Sequence, residues 1–236
     1  MLGLTRGLVL SPWRCPPLCA RVSARRVCKS PERVHRLSPI CTPFEYTSLD
    51  DLVDATLGSC ALPRLAVVLT FDDGYAGVYE SAFPILRRYG LTATLFLIAE
   101  DFVEDTRGGK RRAFQIMTRG QLVKMMAAGF RIGSHSVSHP PLTDLSGAQV
   151  REEIVRSKEM LENAFECRVT AFCYPYGVYS PELETRVAEA GYSCAVTTRV
   201  GRRHRAEERF RLKRIPISSA QGLLQFVYRL LWAGGH

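Results

Sequence analysis

The sequence predicts an α/β fold in which the strands of a parallel sheet alternate with helices. From about residue 45 onward, short apolar runs follow one another, and stretches with helical periodicity separate them. The runs are continuously apolar, which is typical of strands that are covered on both faces. This pattern allows an open, doubly wound sheet or a closed barrel, and periodicity alone does not distinguish the two. In both cases, groups that do chemistry are expected at the C-terminal ends of the strands.

The predicted strands and helix starts come from separate signals. The strand runs are 66–71 (AVVLTF), 93–98 (ATLFLI), 130–134 (FRIGS), 169–174 (VTAFCY), 192–198 (YSCAVTT) and 212–217 (LKRIPI). Helix starts are indicated by pairs with capping-box spacing and by a serine before a first-turn proline. These are Ser48 with Asp51, Thr118 with Gln121, Ser146 with Gln149, and Ser180 before Pro181.

Two helices have an apolar face that predicts how they pack. In the helix after Ser146, the apolar stripe is Val150, Ile154, Leu161 and Phe165. Its outward face is expected to carry Glu152, Glu153, Arg156 and Glu159. The last helix, over about 223–231, is half apolar, which favours packing on the sheet over membrane attachment.

Most of the basic charge lies in one short segment. The chain has 236 residues, of which 46% are hydrophobic, and a net charge of +9. This length and composition suit one domain with a full core and exclude a chain that is disordered throughout. Residues 1–44 hold eight basic side chains and one acidic one, a net charge of +7, which leaves +2 for 45–236. The charge therefore does not favour a nucleic acid or a membrane as partner.

Residues 1–44 are rich in Arg, Pro and Cys and show no sustained hydrophobic period. We interpret them as a basic, disordered leader or a misassigned start, with an organelle-targeting peptide as the alternative. No convincing signal peptide is present, and no run reaches transmembrane length. The eight cysteines include no CxxC pair, and Cys173 and Cys194 lie in apolar runs that are typical of buried thiols. The localisation stays open, with the cytoplasm slightly favoured.

Two adjacent carboxylates, Asp72 and Asp73, lie in the segment 70–75 (TFDDGY), directly after a predicted strand. An Asp-Gly turn is one reading of this segment. The functional reading is a division of labour, because adjacent residues at a strand end point in different directions. One carboxylate can then bind a cation while the other acts as a base.

Two histidines, His135 and His139, lie in the segment 133–140 (GSHSVSHP), which also follows a strand. Their spacing lets both rings converge on one metal ion if the segment makes a single helical turn. Unrelated loop histidines are the alternative, but this segment and the Asp pair share the same rim of the sheet. With Asp73, they would form a site of two histidines and one carboxylate.

The third segment is 172–177 (FCYPYG), again at a strand end. Pro175 and Gly177 predict a tight turn that could offer a backbone N–H to an oxyanion, and the aromatic rings suit stacking against a sugar. An aromatic turn that closes the sheet is the alternative.

Together, these segments resemble the NodB-like polysaccharide deacetylases of carbohydrate esterase family 4, in the subgroup with an FxYPYG motif. The resemblance covers about 45–236 and implies a distorted (β/α) barrel of the NodB-homology type. It implies a hydrolase that removes N-acetyl or related acyl groups from an amino sugar or polysaccharide with a divalent metal ion. Zinc is the first choice, and cobalt, nickel, iron and manganese are alternatives. A carbohydrate substrate is implied, and the oligomeric state stays open.

The resemblance also assigns roles by position. Asp72 matches the catalytic base, and Asp73 matches the carboxylate ligand of the metal. His135 and His139 match the two histidine ligands, and the backbone N–H of Tyr176 matches the oxyanion donor. The implied mechanism is attack of a metal-activated water on the acyl carbonyl, with Asp72 taking up the proton of that water.

The sequence departs from the family pattern in three places. Cys173 stands where many members have an arginine that orients the base, so no orienting partner can be named. The last strand has no histidine to act as general acid, which leaves Arg214 or protonated Asp72, since His204 lies in a charged segment expected to be solvated. Both differences support an alternative: a catalytically impaired pseudo-enzyme that binds carbohydrate. Residues 1–44 also lack the Tyr-His strand with which related chains often begin, so either the barrel lacks its first strand or the start is misassigned.

Overall fold

The computed structural model of the chain contains a parallel sheet that curls into a barrel, with helices packed around it. It describes the backbone course of 5–13 and 25–26, together with residues 45–63, 66–103, 115–218 and 228. The strands are β1 (Thr5–Trp13), β2 (Arg25–Arg26), β3 (Glu45–Tyr46), β4 (Ala66–Phe71), β5 (Thr94–Leu97), β6 (Arg131–Ser134), β7 (Ala171–Cys173), β8 (Cys194–Val200), β9 (Arg203–His204) and β10 (Leu212–Ser218).

The helices lie between these strands. They are α1 (Leu49–Thr56), α2 (Phe83–Arg88), α3 (Glu100–Val103), α4 (Arg119–Ala127), α5 (Gly147–Arg151), α6 (Ser157–Phe165) and α7 (Pro181–Glu189). A π-helical turn at Val78–Ala82 precedes α2, and another at Glu152–Arg156 joins α5 to α6. Short 3-10 turns lie at Leu142–Asp144, Pro175–Gly177 and Ala206–Glu208.

The predicted strands and helix starts are confirmed. Strands β4, β5, β6, β7, β8 and β10 fall on the six predicted runs. Ser48, Thr118 and Ser146 each form a capping box with the residue three positions later. The Ser180 hydroxyl accepts a hydrogen bond from the backbone N–H of Leu183. These signals lie within a few residues of one another, so they can be recognised without knowledge of the tertiary structure.

The sheet is a closed succession of parallel pairs. From β4, the order runs through β5, β6, β7 and β8 to β10. β1 then pairs in parallel with both β10 and β4. Alternate strand residues divide the core in two: Leu95, Leu97 and Ile132 pack in the larger cluster, whereas Phe96 and Val196 pack in the smaller one.

β1 differs from the sequence-based expectation for residues 1–44. Thr5–Trp13 forms a strand in the sheet, so the barrel has a strand where the sequence suggests either a missing one or a misassigned start. Its apolar run 8–10 is too short for a membrane segment but long enough to pair with neighbouring strands. Apart from β2, the rest of 1–44 lies outside the described residues, and the domain boundary at residue 45 stays a prediction.

Three further expectations can be compared with the structure. Cys173 and Cys194 are buried free thiols, as predicted. His204 is fully buried in β9, which corrects the expectation of a solvated loop, and β9 pairs with the start of β1. The predicted helix over 223–231 lies outside the described residues except for Tyr228. Within the described part of the chain, none of the helices combines the length and the apolar character that a membrane crossing requires.

Candidate active site

The candidate site lies at the C-terminal ends of adjacent strands. Asp72 and Asp73 directly follow β4, His135 directly follows β6, and Tyr176 lies in the turn after β7. Because β4, β5, β6 and β7 are neighbours in one parallel sheet, their ends meet at the same rim. The structure therefore brings together the five residues that the sequence singled out, with His139 next to His135.

Asp73, His135 and His139 form a compact triangle of possible metal ligands. The Asp73 Oδ1 atom lies 3.5 Å from His135 Nε2 and 3.7 Å from His139 Nε2, and the two Nε2 atoms are 3.2 Å apart. A divalent ion with ligand bonds of about 2.1 Å places neighbouring ligand atoms roughly 3.0–3.5 Å apart. The size of the triangle and its N/O donors therefore fit such an ion.

The ring of His135 is held in one orientation by the neighbouring strand. Its Nδ1 lies 2.7 Å from the backbone carbonyl of Cys173, to which the ring N–H donates. This hydrogen bond leaves the lone pair on Nε2, the atom that faces Asp73 and His139. Both histidines are buried, and the ring of His139 packs edge-on against the ring of Tyr176, with 4.7 Å between centroids.

The segment between the histidines is not the helical turn that the spacing suggests. Ser136 and His139 have left-handed backbone angles, with φ of 67° and 63°. The Ser136 Oγ accepts a hydrogen bond of 2.9 Å from the backbone N–H of His139, which closes the loop. The rings thus converge because of a tight left-handed loop, which the i, i+4 spacing alone does not reveal.

Asp72 is bound by Arg214, which sequence reasoning did not name as its partner. Arg214 is almost completely buried, and its Nη1 and Nη2 donate to Asp72 Oδ1 and Oδ2 at 2.7 Å and 2.9 Å. Burial alone would lower the pKa of the guanidinium, but Asp72 and Cys173 outweigh this effect and raise the pKa above its usual value. Arg214 therefore keeps its proton, which makes it a partner that orients Asp72 and a poor general acid.

The guanidinium itself is fixed by several further contacts. Nε donates to the Thr197 carbonyl at 2.8 Å, Nη1 reaches the Thr70 hydroxyl at 3.3 Å, and Nη2 reaches Cys173 Sγ at 3.3 Å. One signal in the sequence could have indicated this role. Strand alternation puts Arg214 on the same face as the buried Leu212, so an arginine in this strand had to point inward.

A second group of possible ligands, Asp72, His135 and Cys173, is also close enough for a metal ion. Arg214 already binds both carboxylate oxygens of Asp72 and contacts the sulfur of Cys173. Burial also raises the pKa of the Cys173 thiol well above its usual range, which favours the protonated form. A second cation beside the guanidinium would be repelled, so the Asp73 triangle is the better site.

Tyr176 lies at the tip of a strained turn at the edge of the site. Its backbone is left-handed, with φ of 59°, and the residue is exposed. Thr198 Oγ1 donates to the Tyr176 carbonyl at 3.3 Å. A Cβ atom on the following residue, Gly177, would lie only 2.0 Å from Thr198 Oγ1, so a glycine is needed there. The contacts with Thr198 thus hold the turn against β8.

Glu153 is a second residue whose position sequence reasoning missed. The helical pattern predicts it on the outward face, but it is half-buried and turned toward the histidine loop. Its carboxylate accepts hydrogen bonds from the backbone N–H groups of Val137 and Ser138 and from the Ser138 hydroxyl. No pattern in the sequence distinguishes it from its exposed neighbour Glu152.

Known proteins resemble this chain in sequence. The family model for polysaccharide deacetylase matches residues 61–195, more than half of the chain. YxkH of Bacillus subtilis (strain 168), a protein named for the same family, is 34% identical over 152 residues, which cover 64% of this chain and 51% of YxkH. The chitooligosaccharide deacetylase of Sinorhizobium fredii (strain NBRC 101917 / NGR234) is 28% identical over 129 residues, or 53% of this chain and 54% of that protein. The chain thus spans about half the length of these curated relatives.

A solved structure shows the same fold. The deacetylase PplD of Streptococcus pyogenes superposes with a TM-score of 0.73 at 22% identity, covering 98% of this chain and 99% of PplD. This likeness supports the (β/α) barrel. The chain belongs to the polysaccharide deacetylase family.

Proposed function

We propose that this chain is a metal-dependent carbohydrate deacetylase that hydrolyses N-acetyl or related acyl groups on an amino sugar or polysaccharide. One observation carries the proposal: a triangle of metal-type donor atoms lies beside a second carboxylate that an arginine holds in place. Hydrolysis of an amide needs both an electrophilic centre and a base, and the two adjacent aspartates divide these tasks.

The names of relatives support the choice of substrate. The Sinorhizobium fredii relative is named as acting on chitooligosaccharides. Chitooligosaccharides are oligomers of N-acetylated glucosamine, so an amide on an amino sugar is the substrate class we propose here. The exposed ring of Tyr176, beside His139, offers an apolar surface on which a sugar ring can stack.

Each residue has a proposed task in the reaction. Asp73, His135 and His139 would hold a divalent ion, zinc being our first choice. Such an ion supplies Lewis-acid polarisation of a carbonyl and makes a water more acidic. Asp72 receives the proton of the attacking water, and the backbone N–H of Tyr176 donates to the oxyanion that forms on the acyl carbon.

The proton must then reach the leaving amine. Arg214 keeps its own proton, because its pKa is raised above the usual value. We therefore assign this transfer to Asp72, which is protonated at that stage. The buried fork of Arg214 binds Asp72 in its ionised form and thereby orients it to take up the first proton. The same cation favours the ionised form of Asp72, so it also favours release of that proton to the amine.

The alternative is a pseudo-enzyme that binds carbohydrate without turnover. Two features of the sequence favour this alternative. The third segment lacks the arginine that orients the base, and the last strand lacks a histidine that acts as general acid. Arg214 contacts Asp72 from a different strand, β10, so the first feature no longer favours a pseudo-enzyme. The second feature still favours it, because β10 contains no histidine.

An acetate-release assay separates the two functions. The purified full-length chain is incubated with an N-acetylglucosamine oligomer, with a chelator, and with zinc, cobalt or nickel added back. Deacetylation predicts release of acetate that the chelator abolishes and that metal restores. A folded protein that releases nothing from any of a panel of acylated sugars, with each metal present, would favour the pseudo-enzyme.

A further inference from the structure

We propose that Glu153 is a positioning residue that holds His135 and His139 in the geometry that binds a metal ion. This inference rests on the proposed function, because it concerns the same metal site. Glu153 belongs to the π-helical turn Glu152–Arg156, and it acts through the backbone of the loop that connects the two histidines.

The contacts of Glu153 are concentrated on the middle of that loop. One carboxylate oxygen, Oε2, accepts from the backbone N–H groups of Val137 and Ser138 at 2.8 Å and 3.0 Å. The other, Oε1, accepts from the Ser138 hydroxyl at 2.6 Å. Hydrogen bonds to an ionised acceptor are about twice as strong as those between neutral groups. One side chain thus fixes two consecutive residues between the ligands.

The loop needs such a clamp because its backbone is strained. Among the described residues other than glycine, positive φ occurs at Asp73, Ser136, His139, Glu166 and Tyr176. All of these except Glu166 belong to the candidate site. The left-handed residues of the loop, Ser136 and His139, flank the two that Glu153 binds. Strained conformations persist only where surrounding contacts determine them, and Glu153 provides those contacts here.

The π-helical turn has a second attachment, at the strand end before His135. Its Ile154 carbonyl accepts hydrogen bonds from Ser157 Oγ and Tyr192 Oη, each at 3.0 Å. The Ser134 hydroxyl, which directly precedes His135, donates to Ser157 Oγ at 2.7 Å. Side-chain donors thus bind a carbonyl within the turn, where the regular helical hydrogen-bond pattern is interrupted.

The same helical stretch therefore holds the histidine segment on both sides of His135. Ser157 binds the residue before it, and Glu153 binds the loop after it. Hydrogen bonds that orient metal ligands from outside the ligand set commonly change metal affinity by 10–100-fold when they are lost. A role in positioning predicts a loss of this size, whereas a role in folding alone predicts lower stability with unchanged metal affinity in the folded protein.

The test compares Glu153→Gln with Glu152→Gln in the full-length chain. Glu152 is the adjacent residue on the same turn, it is exposed, and it binds Arg156 of its own helix. The dissociation constants of Zn²⁺ and Co²⁺ are measured by competition with a chromophoric chelator, and the visible spectrum of bound Co²⁺ is recorded, well below each Tm. We expect Glu153→Gln to weaken binding of both ions about tenfold or more and to alter the Co²⁺ spectrum. Glu152→Gln should match the wild type.

A folded Glu153→Gln variant with the wild-type dissociation constant and spectrum would overturn the proposal. If that variant does not fold, Ser138→Ala is measured instead, because it removes the hydroxyl contact to Glu153. We expect it to weaken metal binding in the same direction and by a smaller factor, and unchanged affinity would again overturn the proposal. A wild-type chain that binds neither ion would contradict the metal site and this inference together. Wild-type binding with an unaffected Glu153→Gln contradicts this inference alone.

Discussion

Asp72 and Asp73 are adjacent in the chain, but their side chains have different surroundings. Asp72 receives two hydrogen bonds from the buried guanidinium of Arg214. Asp73 faces the imidazole nitrogens of His135 and His139, and its backbone is left-handed, with φ of 67°. The left-handed residue turns the second carboxylate away from the first, so two acids at one strand end can have separate roles.

Substituting each aspartate should separate metal binding from turnover. We expect Asp73→Ala to lose bound metal, because it removes one corner of the ligand triangle. Asp72→Asn should keep the metal and lose turnover, because an amide cannot accept the proton of the attacking water. Metal content by elemental analysis and acetate release are measured on the same samples. Full metal content in both folded variants would show that the ligands are assigned wrongly.

Arg214→Lys tests the arrangement around Asp72. Lysine keeps a positive charge but has no planar fork, so it cannot make both hydrogen bonds to the carboxylate. We expect kcat to fall by about tenfold or more, with KM and metal content close to wild type, because the base is present but misaligned. Arg186→Lys is the control, since Arg186 pairs with Glu182 of its own helix. Equal kcat in both variants would count against an orienting role for Arg214.

At the scale of elements, the turn Pro175–Gly177 shows how a strand end is fitted to its neighbour. Gly177 has φ of 70°, and both the side chain and the backbone N of Thr198 approach the position that a Cβ atom would occupy. The turn can therefore lie directly on β8, which brings Tyr176 close to His139.

Gly177→Ala should cost far more stability than a comparable glycine elsewhere. Gly191 is a matched control, because its φ is 78° and no atom lies within 4 Å of the position that its Cβ would take. Gly191→Ala reports the destabilisation from the left-handed backbone alone, about 1–2 kcal/mol. Gly177→Ala adds overlap with Thr198, and we expect a further loss of about 1–3 kcal/mol. Urea denaturation of both variants measures the difference, and equal losses would mean that the turn moves away from β8.

The helices and strands that the sequence predicts are those with local signals. The capping boxes at Ser48 and Thr118 join residues three positions apart, and the strand runs are continuous, so both are readable from short windows. The bond between Arg214 and Asp72 joins residues 142 positions apart, and Glu153 reaches the histidine loop across 15–16 positions. Such contacts depend on which strands become neighbours and on an irregular helical turn. For this reason, the candidate ligands and the candidate base could be predicted from the sequence, but the contacts of Arg214 and Glu153 could not.

At the scale of the whole molecule, β1 joins the two ends of the sheet. It lies between β4 and β10, whose backbone groups would otherwise form exposed edges. We expect a chain that lacks residues 1–44 to unfold at lower denaturant concentration than the full chain and to aggregate more readily. A chain that lacks only residues 1–4 keeps β1 and should behave like the full chain. Equal stability of the chain that begins at residue 45 would show that β1 contributes little to the barrel.

Buried tyrosines should make stability depend on alkaline pH. Burial raises the pKa of Tyr192 and Tyr174 above the usual value. In the unfolded chain a tyrosine ionises near pH 10, so above about this pH the folded state binds more protons. The contribution of these two tyrosines to the free energy of unfolding is then constant below about pH 10 and falls above it, by up to about 1.4 kcal/mol per pH unit for each tyrosine.

Urea denaturation between about pH 8 and 11 tests this dependence. Tyr192→Phe removes one of the two contributions, so its stability should fall less steeply above about pH 10. The variant also loses the hydrogen bond to the Ile154 carbonyl, which lowers its stability at every pH. A slope identical to that of the wild type would mean that Tyr192 ionises equally in the folded and unfolded states.

The closure of the barrel by β1 has a consequence for synthesis of the chain. Leu10 of β1 pairs with Ile215 of β10. The ribosome makes β10 roughly 200 residues after β1, so β1 must wait for this partner. At about 5–20 residues per second, that wait is on the order of 10–40 s on the ribosome. During this time β1 can pair with β4 on one side only, and its other edge stays open to foreign strands. Translation speed and the supply of chaperones should therefore influence the yield of folded protein.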